Sequence, residues 1–309
     1  MSVLFLTRPQ PAEVFFGPMA AIAPEIECVG SLDAPGLDKV EAVVCYRLPA
    51  GACAKLPNLK LVCASSAGVD KILGVEGLPP QLPVARIVDP AQNLQIAQYV
   101  AMMALGHVRQ RALYAAQQVS KAWTRHPIHA PGSATVGVLG MGEAGQVTAG
   151  VLRALGFRVA GWSRSARTVE GVEMHHGAAG LGECLARADV LVCLLPLTAD
   201  THGLLDRGRL SRLPKGACVI NVARGQHLVE PDLLALLDEG HLAGAALDVQ
   251  GTEPLPADSP LWTHPKVTVT PHVASQPTVE SVARQVAENV RRLRDGRPLL
   301  NVVDRARGY

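Results

Sequence analysis

Three polar residues in the last third of the sequence each close an apolar, strand-like run: Arg224 in INVARGQHLVE, Glu253 in ALDVQGTEPLP and His272 in VTVTPHVAS. A guanidinium offers a permanently charged fork that grips a carboxylate better than a lysine does. An imidazole titrates near neutrality and can hand a proton to a developing alkoxide. An anion anchor and a proton donor are what a reaction needs when it recruits a carboxylate anion and neutralises a developing alkoxide, and those needs select Arg and His. In an open α/β sheet ligands gather at the carboxyl ends of the strands, which makes these three side chains candidates for one cleft. The alternative is three unrelated surface or core residues.

A second cluster precedes them. Gly140-Met141-Gly142-Glu143-Ala144-Gly145 spells G-x-G-x-x-G directly after the run TVGVL and directly before the helical segment EAGQVTAGVLRALG. The hexapeptide alone is a weak signal, but between strand and helix it predicts a dinucleotide site. Glycines let the backbone approach a pyrophosphate, and the N–H groups of Glu143 and Ala144 with the helix dipole stabilise its charge. A turn chosen only for tight packing is the competing reading. Where an NAD-binding unit carries an acidic residue for the ribose 2′-hydroxyl, the run RVAGW leads into Ser163-Arg164-Ser165-Ala166-Arg167, with no carboxylate. Arg164 with Ser163 can take a 2′-phosphate, so NADPH is expected over NADH. If Arg164 is merely solvated, NADH is the cofactor.

The elements that must position these groups alternate in type. VLFL, IECVG, AVVCY, LKLVCAS and PVARIV read as strands of a first parallel sheet, separated by turns or polar helices. Residues from Asn93 to about Ser120 read as one long helix, ending in the loop KAWTRHPIHAPGS. From Thr135 a second series reads TVGVLG, RVAGWS, VLVCLL, ACVINV, GAALDV and VTVTP, six strands with crossovers of helical length. The expected fold is therefore α/β, with two doubly wound parallel-sheet domains: a Rossmann cofactor domain over 96–276, and a flavodoxin-like substrate domain over 1–95 completed by 277–309. The returning helix, Pro277 to about Asp295, has Val279, Val282, Ala283, Val286 and Val290 at helical spacing. Its Arg284, Arg291, Arg292 and Arg294 interleave with Glu280, Glu288 and Asp295, as on a solvated face.

Composition narrows the partners. At 309 residues the chain can bury a sizeable core, and a formal net charge of +2 gives no global argument for nucleic acid or membranes. No window approaches the roughly 18 apolar residues of a spanning helix. Seven cysteines, with no CxxC pair and mostly within apolar runs, read as buried thiols in a reducing compartment, hence the cytoplasm. Ten histidines raise the question of a metal, but the spacings His126/His129 and His175/His176 lack a ligand cluster, so none is expected.

The N-x-A-R-G, D-V-x-x-x-E-P and T-P-H signatures, in that order, resemble those of the D-2-hydroxyacid dehydrogenase family across nearly the whole chain. SSAGVDKI, the WSRS after the second cofactor-domain strand, and the terminal VDRARGY resemble its glyoxylate/hydroxypyruvate reductase A branch. The resemblance implies that His272 is the general acid, that Glu253 holds the imidazole and favours its protonated form, and that Arg224 binds the keto acid's carboxylate and polarises its carbonyl. It further implies that backbone N–H groups of Ala67 and Gly68 clamp that carboxylate, so that substrate bridges the domains, and that Pro196, Val222, Ala223 and Ser275 lie along the nicotinamide. Asp248 is expected to orient the carboxamide, with a turn or N-cap role as the alternative. Tyr46 and Trp123 are candidates for narrowing the pocket, or else core aromatics. Gln98 stands where many family members carry a glutamate in the long helix. A homodimer through the cofactor domain, with the Asn93–Ser120 segment in the contact, is also implied. The activity so implied is reduction of glyoxylate or hydroxypyruvate. Reduction of a bulkier, phenylpyruvate-like 2-keto acid and a non-catalytic dinucleotide-sensing module are the alternatives.

Overall fold

The computed structural model describes residues 2–128, 130 and 132–308, so that His129 of the His126/His129 pair lies outside the described residues. Two compact units divide the chain: one runs to Pro90 and resumes at Gln276, and the other is Ala91–Ser275.

The first unit is built on a five-stranded parallel sheet, β1 (Ser2–Leu6), β2 (Glu27–Val29), β3 (Val40–Cys45), β4 (Leu61–Ala64) and β5 (Val84–Ala85), in the order β2-β1-β3-β4-β5. That is the flavodoxin-like order. Its strands are short and nearly all apolar, the pattern of a sheet covered on both faces. Helices α1 (Phe16–Ile22) and α2 (Asp70–Leu73) belong to this unit, together with the returning helix described last.

The second unit carries a seven-stranded parallel sheet. Its strands are β6 (Thr135–Leu139), β7 (Arg158–Ser163), β8 (Glu173–His176), β9 (Val190–Cys193), β10 (Ala217–Asn221), β11 (Leu242–Leu247) and β12 (Val267–Val269). Their order is β12-β11-β10-β9-β6-β7-β8, a Rossmann sheet whose strand order reverses between β6 and β9. The sequence reading counted six strands and missed β8. Its residues Glu173-Met174-His175-His176 show neither an apolar run nor clean alternation, because β8 is an edge strand with only Met174 and His175 turned inward to any degree. Crossovers are made by α5 (Glu143–Ala154), α6 (Gly177–Arg187), α7 (Arg207–Leu210) and α8 (Glu230–Asp238).

The single long helix expected from Asn93 to Ser120 is two helices, α3 (Pro90–Val108) and α4 (Arg111–Ser120). Gln110 between them is left-handed, with φ of 55°. No residue of α4 is buried, so nothing in the core selects a continuation of the inward face of α3. The break is instead held by local bonds: Gln110 Nε2 donates to the Pro127 carbonyl at 2.7 Å, and the His126 N–H donates to Tyr114 Oη at 3.1 Å.

The returning helix, α9 (Val279–Arg294), opens with Thr278 Oγ1 accepting from the Ser281 N–H at 3.1 Å. Val282, Val286 and Val290 are fully buried against Phe5, Phe15 and Met19, so the C-terminal segment completes the first unit's core. Burial of each valine contributes roughly 1.5–3 kcal/mol. The arginine-bearing face makes surface ion pairs, Arg291 to Glu25 at 3.0 Å and Arg292 to Glu288 at 2.7 Å.

Candidate active site

The glycine turn follows β6. Gly140 has φ of 99°, and a side chain there would sit 2.6 Å from the Leu194 carbonyl oxygen. A Cβ on Gly145 would lie 2.1 Å from the Gly140 carbonyl oxygen, so helix α5 can approach its own turn only without one. Gly142 caps α5 with no side-chain hydrogen bond, and the space beside its Cα is open. The first N–H groups of α5, at Glu143, Ala144 and Gly145, have no helical carbonyl to bond and lie next to that space. Ser163 ends β7, buried, with its hydroxyl donating to the Ser165 carbonyl at 2.8 Å, and Arg164 is exposed just beyond it. Arg167 bends back and donates to the Met141 carbonyl inside the turn.

Arg224, Glu253 and His272 follow β10, β11 and β12, three neighbouring strands of the same parallel sheet, and lie beyond their carboxyl ends. His272 Nδ1 sits 3.1 Å and 3.2 Å from the two carboxylate oxygens of Glu253, with both side chains largely buried. Arg224 is half-buried, and its Nη1 donates to the Ala223 carbonyl at 2.7 Å. Gly225 must be glycine, because a Cβ there would lie 1.9 Å from the carbonyl carbon of Gln250. That contact brings the Arg224 loop against the loop that leads to Glu253.

His272 has φ of 56°, a backbone state that costs a non-glycine residue on the order of 1–3 kcal/mol and persists only when its surroundings impose it. Asp248 imposes it. Its main-chain carbonyl accepts from the His272 N–H at 2.8 Å. Its carboxylate, 1% exposed, accepts from Thr270 Oγ1 at 2.6 Å, from the Val273 N–H at 2.8 Å and from the Ala274 N–H at 2.9 Å. Tyr99 Oη lies 2.7 Å from Thr270 Oγ1, extending this network to α3, and burial raises its phenol pKa. The structure thus gives Asp248 a local task, holding the His272 loop.

Pro196 lies in the loop after β9, its carbonyl accepting from Thr201 Oγ1 at 2.7 Å. Val222 and Ala223 lead from β10 into Arg224, and the Ala223 N–H donates to Asn221 Oδ1 at 3.2 Å. Ser275 Oγ is buried with no hydrogen-bond partner among the described residues. In the first unit, Ala67 and Gly68 occupy the loop after β4, where Ser66 Oγ donates to the Gly68 carbonyl at 2.9 Å. Tyr46 follows β3 and accepts a hydrogen bond from Lys71 Nζ at 3.0 Å, the ammonium also lying 4.5 Å from its ring centre. Trp123 is 94% exposed, which removes it from the core. Among the described residues no group of three or more His, Cys, Asp or Glu is placed to hold a metal.

Sequence reasoning missed His227. It lies inside the quoted run INVARGQHLVE and is fully buried, its ring set between the carbonyls of Arg224 and Pro196. A histidine three positions after the arginine and directly before the apolar pair Leu228-Val229 was the available signal.

A Rossmann sheet with its glycine turn at the strand-order reversal, and an Arg with a Glu–His pair on neighbouring strand ends, define a dinucleotide-dependent dehydrogenase. Residues 101–274 match the model of the D-isomer specific 2-hydroxyacid dehydrogenase, NAD binding domain. The glyoxylate/hydroxypyruvate reductase A of Klebsiella pneumoniae is 41% identical over 256 residues, 81% of this chain and 82% of that protein. A D-isomer specific 2-hydroxyacid dehydrogenase from Xanthobacter autotrophicus, solved with NADPH, superimposes with a TM-score of 0.94 at 37% identity, covering 100% of this chain and 99% of that one. The NADPH-dependent glyoxylate/hydroxypyruvate reductase of Sinorhizobium meliloti, solved with NADP and sulfate, gives 0.91 at 36% identity with the same coverage. The chain belongs to the D-isomer specific 2-hydroxyacid dehydrogenase family.

Proposed function

We propose that the protein reduces small 2-keto acids, glyoxylate and hydroxypyruvate among them, to glycolate and D-glycerate with NADPH. The observation that carries this reading is the His272–Glu253 pair, with contacts of 3.1 Å and 3.2 Å, beyond the ends of β12 and β11, the second of which adjoins the strand that presents Arg224. The site fits a dinucleotide: the helix α5 N–H groups lie beside open space at Gly142, and Ser275 offers a buried hydroxyl without a partner among the described residues. Bound NADPH supplies the hydride.

This chain supplies the rest. Gly140, Gly142, Gly145 and the N–H groups of Glu143 and Ala144 hold the pyrophosphate. Arg164, beside Ser163, takes the 2′-phosphate with charge-assisted bonds. Pro196, Val222, Ala223 and Ser275 flank the nicotinamide. Arg224 grips the keto acid's carboxylate and polarises its carbonyl. Glu253 engages His272 at Nδ1, which leaves Nε2 as the nitrogen that gives its proton to the carbonyl oxygen. Asp248 enters by holding the loop on which His272 stands.

The test is NADPH and NADH oxidation at 340 nm with glyoxylate, hydroxypyruvate, pyruvate and phenylpyruvate. Fastest turnover of the two small acids with NADPH is expected. Preference for phenylpyruvate overturns the small-substrate assignment, and no turnover of any acid overturns the enzyme. His272→Ala and Arg224→Ala are each expected to lower kcat/KM by at least about a hundredfold. Near-normal kinetics in either variant would refute its role.

The same reading places the protein in the cytoplasm as a homodimer formed through its cofactor-binding unit. Support for the dimer comes from Leu94 and Met102 on α3 and Leu113 and Val119 on α4, all exposed. Sedimentation at micromolar concentration checks it, and a monomer would refute it.

A further inference from the structure

We infer that His227 is a positioning residue of this reaction, a crossbar that fixes the loop carrying Arg224 to the loop carrying Pro196. The inference rests on the reductase reading above. His227 closes the short turn Gly225–His227 that follows Arg224, and no part of it reaches solvent. Its Nδ1 lies 3.0 Å from the Arg224 carbonyl oxygen and its Nε2 lies 3.2 Å from the Pro196 carbonyl oxygen. Its main chain is pinned on the same side: the N–H donates to the Arg224 carbonyl at 3.2 Å, and the carbonyl accepts from the Leu205 N–H at 2.8 Å.

A buried imidazole is costly unless its nitrogens are met, and here each nitrogen faces an oxygen that can only accept. The ring therefore donates. In its neutral form it donates to one loop, and with both nitrogens protonated it donates to both. No apolar residue of similar size can do either. Each carbonyl also has a second side-chain donor, Asn221 Nδ2 at 2.9 Å for Arg224 and Thr201 Oγ1 at 2.7 Å for Pro196. Neither carbonyl is orphaned when the ring is removed, so the fold survives. What is lost is the fixed spacing between the anion anchor and the nicotinamide-side loop, and a misplacement of about 1 Å in such a pair costs up to about a hundredfold in rate.

The experiment uses the full-length protein, NADPH and glyoxylate. Wild-type turnover is measured first, and its absence overturns the reductase reading before any variant is considered. His227→Leu is expected to lower kcat/KM by about tenfold or more, with the NADPH Kd changed less than about threefold because the glycine turn is untouched. The discriminating measurement is a double-mutant cycle with Arg224→Lys. A residue that acts through Arg224 costs much less once that guanidinium is gone, so His227→Leu in that background is expected to cost less than about threefold. His227→Gln, whose single amide nitrogen carries two N–H donors, is expected to recover at least half of the loss on a logarithmic scale. A wild-type-like kcat/KM for His227→Leu, or the same fold-loss in both backgrounds, overturns the inference. Should the leucine variant not fold, the glutamine variant is carried through the same cycle, and additive losses there overturn it equally.

Discussion

Replacing Asp248 by asparagine changes one oxygen to an NH2 group and leaves shape and volume almost intact, so its effect isolates the acceptor network beneath His272. In the native protein Oδ1 serves Thr270 Oγ1 and the Val273 N–H, while Oδ2 serves the Ala274 N–H. An asparagine best keeps its oxygen at the Oδ1 position, turning its own N–H groups toward the Ala274 N–H, donor against donor. One charge-assisted bond is lost, two are weakened and a buried N–H loses its acceptor, together about 2–4 kcal/mol. For a unit the size of Ala91–Ser275 this lowers Tm by about 4–16 °C. The loss is smaller than the roughly 5–15 kcal/mol that holds typical domains together, so the variant folds at 25 °C. The His272 N–H keeps its bond to the main-chain carbonyl of residue 248, but the two residues after it are no longer gripped. The imidazole then wanders from its station, and kcat/KM falls by about ten- to a hundredfold. The assay is a thermal melt followed by steady-state kinetics with NADPH and glyoxylate, with Asp248→Ala, which removes both acceptor oxygens and all three bonds to them, as the more severe companion. An unchanged Tm together with a kcat/KM within about twofold of wild type would refute the claim that Asp248 sets the position of His272.

Other expectations are as direct. Gly225→Ala places a methyl group 1.9 Å from the Gln250 carbonyl carbon, so the two loops must part, and activity is expected to fall by at least about a hundredfold with a lower Tm; unchanged kinetics would refute the close approach. Arg164→Ser removes the cation assigned to the 2′-phosphate and should raise KM for NADPH at least about tenfold while leaving KM for NADH nearly unchanged; a parallel rise in both refutes that assignment. Burial pushes the Cys63, Cys184, Cys193 and Cys218 thiols up to about 12, and that of Cys45 higher still. In the folded protein these remain neutral thiols, whereas in the unfolded chain they ionise near 9.0. Above about pH 9 the unfolded state loses protons that the folded state keeps, so stability is present below that pH and declines between about pH 9 and 12. Denaturant melts across that range check the sign. At pH 8 a thiol reagent should label Cys53 first in native protein, and rapid labelling of all seven cysteines would refute the burial of these groups.

Much of this architecture was legible in the chain. The strands β6, β9 and β10 are buried throughout, and a strand covered on both faces has to read as an uninterrupted apolar run. The glycine turn was legible because its constraints are local: only glycine tolerates the Gly140 backbone and the approach at Gly145. Arg224, Glu253 and His272 could be named because a polar residue just past an apolar run in a parallel sheet emerges at the ligand-bearing edge. Strand β8 could not be read, since an edge strand with one half-buried side carries little apolar signal, and the division of α3 from α4 was hidden because α4 buries nothing.

What only the tertiary structure decided is which polar residues hold the chemical ones in place. Asp248 and His272 are 24 positions apart, and no local pattern states that the carboxylate of one collects the N–H groups that follow the other. His227 lies three residues from Arg224 and 31 from Pro196, yet its ring meets both carbonyls because β9 and β10 are neighbours in the sheet. Residue type and spacing record what an element must be, through the dihedral angles and the burial it imposes on its own residues. Hydrogen bonds between loops depend on where separate strand ends arrive, and that is set by packing of the whole sheet.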